Sequence, residues 1–178
     1  MIPTLLQTIT ATDTDSDISF TSNINSTYDE YWFVMNNISP NTDDSGNYFG
    51  FQGNASSQSG YNEVMTSAMF KSGRGESSGT EFAAAEDQNQ ATGLRYLFQG
   101  IGGGADESGA GILRLYSPSN TSYVKCFSAA FSGHYLGTHS YTHYTAGYFN
   151  VTAAITDIQF KFSSGTIDSG IIDLYGIA

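Results

Sequence analysis

Short stretches in which apolar and polar residues alternate recur along almost the whole chain, each cut off by a cluster of Gly, Pro, Asn, Asp or Ser. The closing run, FKFSSGTIDSGIIDLYGIA, shows the pattern: Phe160 and Phe162 alternate with polar neighbours, a Ser, Gly and Asp turn follows, and Ile172, Leu174 and the nearby Tyr175 resume. A period of two turns one face toward a core and the other toward water, so the run reads as strand, turn, strand, with the last strand paired inside a sheet. Upstream, the same reading picks out SDISFTS, EYWFVMNNI, NYFGFQG, YNEVMTSAMFK, GLRYLFQGI, AGILRLYSP, SYVKCFSAAF, YTHYTAGYFN and AITDIQFKF. With the closing SGIIDLYGI these make about ten strands.

Helix signals are nearly missing. Only TEFAAAEDQ carries one, with Thr80 as N-cap and Glu81 in the first turn, and it is short enough to be an excursion between strands. Strands without crossover helices pack as two antiparallel sheets face to face, and the long connection over residues 71–93 suits a Greek-key crossing. The expected fold is therefore all-β, an antiparallel β-sandwich that is jelly-roll-like, with an up-and-down barrel as the alternative. No repeat period favours a propeller or a solenoid. At 178 residues the chain can bury one sizeable core, so residues 1–178 are read as a single domain.

Composition narrows the function. Charged residues are 13% and aromatics 14%, with 12 Tyr, 12 Phe and 20 Gly, so much of the surface must be built from Ser, Thr, Asn, Gln and Tyr. Six Lys and Arg against 17 Asp and Glu give a net charge of -11. That field repels phosphate backbones, and no local basic cluster offsets it, which excludes nucleic acid as a partner. The opening MIPTLLQTITATD has no basic segment, and its apolar run is too short for a signal peptide or a membrane span, so no membrane partner is expected. Sequons at Asn25, Asn37, Asn54, Asn120 and Asn150 follow from a chain rich in Asn, Ser and Thr, and glycosylation is not expected without a signal peptide. The single cysteine, Cys126, has no partner for an internal disulfide and reads as a small core residue.

Several stretches imitate chemistry. Asp13, Asp15 and Asp17 alternate like the first ligands of a calcium loop, but Ile18 and Ile24 stand where an EF-hand needs Gly and Glu, so the stretch reads as a solvated turn. His134, His139 and His143 lie close in sequence. On a strand, however, His139 and His143 would be about 13 Å apart, too far for one tetrahedral zinc. No carboxylate lies near them in sequence to orient an imidazole, which weakens a hydrolytic triad, and Tyr135, Tyr141 and Tyr144 suggest an aromatic polar surface or an oligomer contact. QGIGGGADESGAG looks like a phosphate cradle but lacks the P-loop Lys, carries Asp106 and Glu107, and opens no helix. It reads as a flexible hairpin loop. Glu86 and Asp87 are adjacent, whereas a glycosidase places its two carboxylates on opposite sides of the substrate, so this pair reads as a solvated turn. Catalytic, cofactor-binding and metal sites are accordingly all expected to be none.

Three segments, ISFTSNINSTYDEYWFVMNNISPNTD, GILRLYSPSNTSYVKCF and AGYFNVTAAITDIQFKFSSGTIDSGIIDLYGIA, in this order, resemble virion structural proteins of tailed bacteriophages, a group common among phages of marine bacteria and of the cyanophage type. The most specific part is SSGTIDSGIIDLYGI, where Gly165 and Gly170 flank a tight turn. The resemblance implies a non-enzymatic jelly-roll module, either a decoration or cement subunit on the outside of the capsid or a tail-fibre, fibre-like part. It brings no catalytic residues. The implied partners are other virion proteins, the major capsid protein or a tail protein, and further copies of the chain, as a homo-oligomeric trimer by analogy with external virion jelly rolls. The implied location is the virion exterior, reached by assembly in the host cytoplasm.

The Tyr-rich surface leaves a second reading, a receptor-binding module recognising host-surface carbohydrate, because tyrosines stack on sugar rings as readily as they fill protein interfaces. Trp32, inside the apolar run YWFVM, reads as a core aromatic. A depolymerising enzyme lacks the carboxylate pair it would need. A fibre is expected to carry an attachment segment and a stalk, for which this chain has no room, so decoration is the preferred expectation.

Overall fold

In the computed structural model, which describes residues 2–56, 58–76, 79–84, 86–137 and 139–178, the alternating stretches form thirteen strands and no helix among the described residues. They are β1 (Thr4–Thr10), β2 (Ile18–Phe20), β3 (Glu30–Pro40), β4 (Tyr48–Ala55), β5 (Met65–Gly75), β6 (Thr80–Ala84) and β7 (Gln88–Ala91). After them come β8 (Arg95–Gln99), β9 (Gly109–Tyr116), β10 (Lys125–Tyr135), β11 (His139–Phe149), β12 (Ile155–Phe162) and β13 (Ile167–Ile177). All ten strands read from the sequence are present. Three were not foreseen: β1, β6 and β7. The segment TEFAA, expected as helix, is the strand β6, because antiparallel pairing with β5 from Phe70 to Arg74 outweighs the helix preference of its alanines.

The larger sheet runs β1-β13-β3-β9-β10-β11-β5-β6, with β7 also on β5, and the smaller runs β2-β12-β4-β8. Every pairing is antiparallel. Eight strands form four nested pairs, β1 with β13, β2 with β12, β3 with β9 and β4 with β8, which alternate between the sheets. This is the jelly-roll winding. The remaining strands are two insertions: β5–β7 between β4 and β8, and the hairpin β10–β11 between β9 and β12. Within 71–93, where a bare crossing connection was expected, the end of β5 and strands β6 and β7 form sheet. Both insertions add to the larger sheet, which grows to nine strands while its partner keeps four.

The core lies between the sheets and is chiefly phenylalanine. Ten of the twelve Phe are buried. Phe33 meets Phe20 and Phe160 edge-on or tilted at 5.3 Å between centroids, and Phe51 meets Phe127 edge-on at 5.1 Å. Such geometries add about 0.5–1.5 kcal/mol per pair beyond burial. Ile172 and Leu174 of β13 are wholly buried, and β13 pairs β1 on one side and β3 on the other. The final strand is therefore internal, as its alternation predicts. The crossing from β12 to β13 needs a glycine at Gly165 (φ 75), and Gly170 (φ 139) sits where β13 shifts register against β3.

The loop expected to be a flexible hairpin is not a hairpin. It carries the chain from β8 in one sheet to β9 in the other. Ile101 is buried in the core, Gly103 donates its amide to Asp43 Oδ1 at 3.0 Å, and Gly104 donates to Glu107 Oε2 at 2.8 Å.

Candidate functional site

In the larger sheet, side chains alternate between the core and an outer face, and strand pairing arranges the outward ones in rows. One row is Tyr175, Trp32, Arg114, Ser128, Ala146 and Ala68. The next is Asp173, Val34, Ile112, Ala130, Tyr144 and Phe70. Each row sets large side chains beside small ones, Trp32 and Arg114 beside Ser128, Ala146 and Ala68, and Tyr144 and Phe70 beside Ala130, so rings stand next to hollows. Phe70 is 43% exposed and Tyr144 44%, with their rings stacked at 5.0 Å, and Phe82 of β6, 73% exposed, lies 5.8 Å from Phe70. The only two phenylalanines outside the core are thus neighbours on one surface. A hollow of about 460 Å³ opens beside Tyr144, lined by Ala68, Phe70, Ser128 and Ala146. Another, of about 250 Å³, is lined by Ile112, Arg114, Ala130 and the same tyrosine.

Trp32 belongs to this face. It is half-buried, not a core residue: in β3 the core positions are the odd-numbered Tyr31, Phe33 and Met35, so parity turns Trp32 outward. Its indole N–H donates to Glu30 Oε1 at 2.6 Å, and Arg114 lies over its ring, 4.8 Å from the centroid. Cys126 is likewise exposed, on the outward parity of β10 opposite Tyr148, which corrects its reading as a core residue. The face offers apolar contact, stacking and the Arg114 guanidinium, the chemistry of burial against a partner.

The other candidates do not converge. Asp15 Oδ2 accepts hydrogen bonds from the Thr12 amide at 2.7 Å and the Thr12 hydroxyl at 3.0 Å, while Asp17 Oδ1 accepts from Ser19 at 2.9 Å, so two of the three carboxylates are tied into their own turn. Among the described residues no group of three His, Cys, Asp or Glu could hold a metal ion. The histidines lie on strands. His143 is buried and stacked on Phe98 at 4.6 Å, and His139 stands at the start of β11, stacked on Tyr141 at 6.1 Å. His134 differs from expectation, because its Nδ1 is 3.1 Å from Glu107 Oε1, a carboxylate brought by the loop before β9. Ser140 faces His134 across the β10–β11 hairpin, but no hydrogen bond joins its hydroxyl to the imidazole. The pair clasps the loop onto β10. Sequence distance hid this carboxylate; the sheet-to-sheet crossing supplies it.

Glu86 and Asp87 also do more than solvate a turn. Glu86 Oε1 accepts from the Tyr48 hydroxyl at 3.1 Å, and Asp87 Oδ1 accepts from the Met69 amide at 2.8 Å. Both carboxylates act on Arg95, whose side chain is fully buried and donates to Ser67 Oγ at 2.9 Å. Desolvation pushes this guanidinium down to about 10, a fall that the charges of Glu86 and Asp87 counter. Arg95 reaches from β8 to β5 and bolts the first insertion to the smaller sheet. No pattern in the sequence marked it. No family model, curated protein sequence or solved structure matches this chain.

Proposed function

We propose that this chain is a non-enzymatic structural protein of a tailed-bacteriophage virion, a decoration or cement subunit on the outside of the capsid. The observation that carries the reading is the outer face of the nine-stranded sheet. Both insertions widen that one sheet, and the widened part holds Phe70, Phe82 and Tyr144 in solvent between hollows floored by alanines. An exposed apolar surface of knobs and hollows suits a neighbouring subunit. The resemblance of the three segments to virion proteins supports the same assignment, with copies of the chain and the major capsid protein as partners.

Electron microscopy of particles of the phage that encodes the chain tests it. The expected result is density for the sandwich repeated over the capsid lattice, with the larger sheet against its neighbour. Particles without the chain overturn the reading. A few copies confined to the tail would replace it with the receptor-binding alternative.

A further inference from the structure

The outer face of the smaller sheet is polar and carries a cleft of about 350 Å³ lined by Gln52, Tyr61, Tyr96, Gln159, Lys161 and Ser163 among others. Its floor follows from register. Lys161, Gly50 and Tyr96 form one row across β12, β4 and β8, and Gln159 pairs with Gln52 in the next. The ammonium and the phenol thus stand about two strand spacings or 10 Å apart, with Leu94 lining the cleft between them. Gly50 is itself buried beneath the Leu94 side chain, which a Cβ at Gly50 would strike together with the Arg95 carbonyl, so Leu94 forms the floor of the cleft at this point.

The walls are preset. Tyr96 is stacked on Tyr48 with centroids 4.0 Å apart and planes within 18°, and the Tyr48 hydroxyl is held by Glu86. Tyr61, which also lines the cleft, adopts a left-handed backbone (φ 50), an outlying conformation for a bulky aromatic. It is held there by Asn54 Oδ1, which accepts its amide at 2.7 Å. Glu63, itself buried, closes the same loop by accepting the Ala55 amide at 2.9 Å, and Gln52 Nε2 donates to the Glu63 carbonyl at 3.0 Å. Lys161 is exposed and has no hydrogen bond or ion pair among the described residues. Two of the six cationic side chains, Arg95 and Lys125, are buried, so in a molecule of net charge -11 Lys161 is one of four that can reach a ligand.

The Gln52 amide is buried and spent on backbone groups, but two aromatic rings, the Gln159 amide and a lone ammonium together match a ligand with flat apolar ring faces, hydroxyls and a carboxylate. We propose that this cleft binds a carboxylated polysaccharide through one ring, which lies against Tyr96 and Tyr61 with its carboxylate on Lys161; the net charge of -11 opposes the rest of the polymer, so this local pairing is what must set alginate above a neutral glucan. The site lies on the opposite sheet from the assembly face and does not depend on where the chain sits in a particle, so failure of either reading leaves the other standing.

Calorimetric titration of the full chain with alginate oligosaccharides, and with oligosaccharides of a neutral glucan, tests the proposal. Alginate is expected to bind saturably and more tightly than the glucan. Lys161→Gln should weaken alginate roughly tenfold and leave the glucan unchanged. Tyr61→Asn, which keeps a residue tolerant of the left-handed backbone, should weaken both about fivefold. Tyr123→Ala, exposed in the loop before β10, should change neither, and thermal unfolding checks that each variant is folded. No saturable binding of alginate overturns the proposal, as does equal affinity for the neutral glucan or alginate affinity undiminished in both cleft variants.

Discussion

Two buried cations hold together parts of the fold that a hydrophobic core alone would leave loose. Arg95 spans from β8 to β5, and Lys125, fully buried at the start of β10, donates through Nζ to the carbonyls of Tyr123 at 2.6 Å, Thr152 at 3.0 Å and Val151 at 3.3 Å. Replacing Lys125 by Met orphans three carbonyls, so Lys125→Met is expected to lower stability by about 1–3 kcal/mol in urea unfolding. Tyr48 supplies a pH signature. Burial first, then the hydrogen bond and charge of Glu86, push its phenol from 10.0 up to about 12. A raised phenol holds its proton in the folded state after the unfolded chain has lost it. Its stabilisation is therefore complete below pH 10 and is lost between pH 10 and about 12. Arg95, lowered by burial to about 10, works in the opposite direction over that window. Melting temperature against pH for the wild type and Tyr48→Phe isolates the tyrosine: the variant should lose less stability from pH 10 to 12. Superimposable profiles would remove the Tyr48–Glu86 contact from the account.

At the scale of elements, β13 and the β8–β9 crossing carry opposite lessons about what a chain can lose. β13 lies between β1 and β3 and buries Ile172 and Leu174 completely. Leu174→Ala should cost about 2–5 kcal/mol, against about 5–15 for a typical whole domain. Deleting residues 170–178 also bares the β1 and β3 ladders, and the product is expected to aggregate on expression. The glycine-rich loop reads as dispensable in sequence because closure entropy depends weakly on length. Its packing reverses that. Gly102 donates its amide to the His134 carbonyl at 3.3 Å, Gly103 to Asp43, and Glu107 reaches back to both Gly104 and His134. Removing Gly102–Gly104 should therefore lower the melting temperature clearly, and an unchanged melting curve would show that the clasp contributes nothing.

On the scale of the whole molecule, an acidic sandwich turns two unlike surfaces outward, an aromatic one on the nine-stranded sheet and a polar cleft on the four-stranded sheet. The proposed self-association as a trimer is assigned to the first. Phe70→Asp, at an exposed position, should leave folding intact and weaken association by about 2 kcal/mol or more, the scale of an aromatic hot spot. Sedimentation velocity over a concentration series reads this directly. Identical behaviour of variant and wild type would exclude the Phe70 region as the contact.

Period-two alternation and turn chemistry made ten strands, the antiparallel sandwich and the internal place of β13 legible from the chain, because both are local properties that each segment carries alone. Strand β1, with the weak alternation of TLLQTIT, and strand β6, whose alanines favour helix, exist because β13 and β5 offer them edges to pair with. The same limit governed the candidate sites. The parity of Trp32 and Cys126 on their strands decides which way they face, and residues distant in sequence bring Glu107 to His134, Asp87 to the Arg95 neighbourhood and Lys161 to Tyr96. Local sequence determined that this chain would form strands. Only the nesting of those strands into two sheets decided which faces stayed wet, because a side chain's partners are set by register between strands and not by its neighbours in the chain.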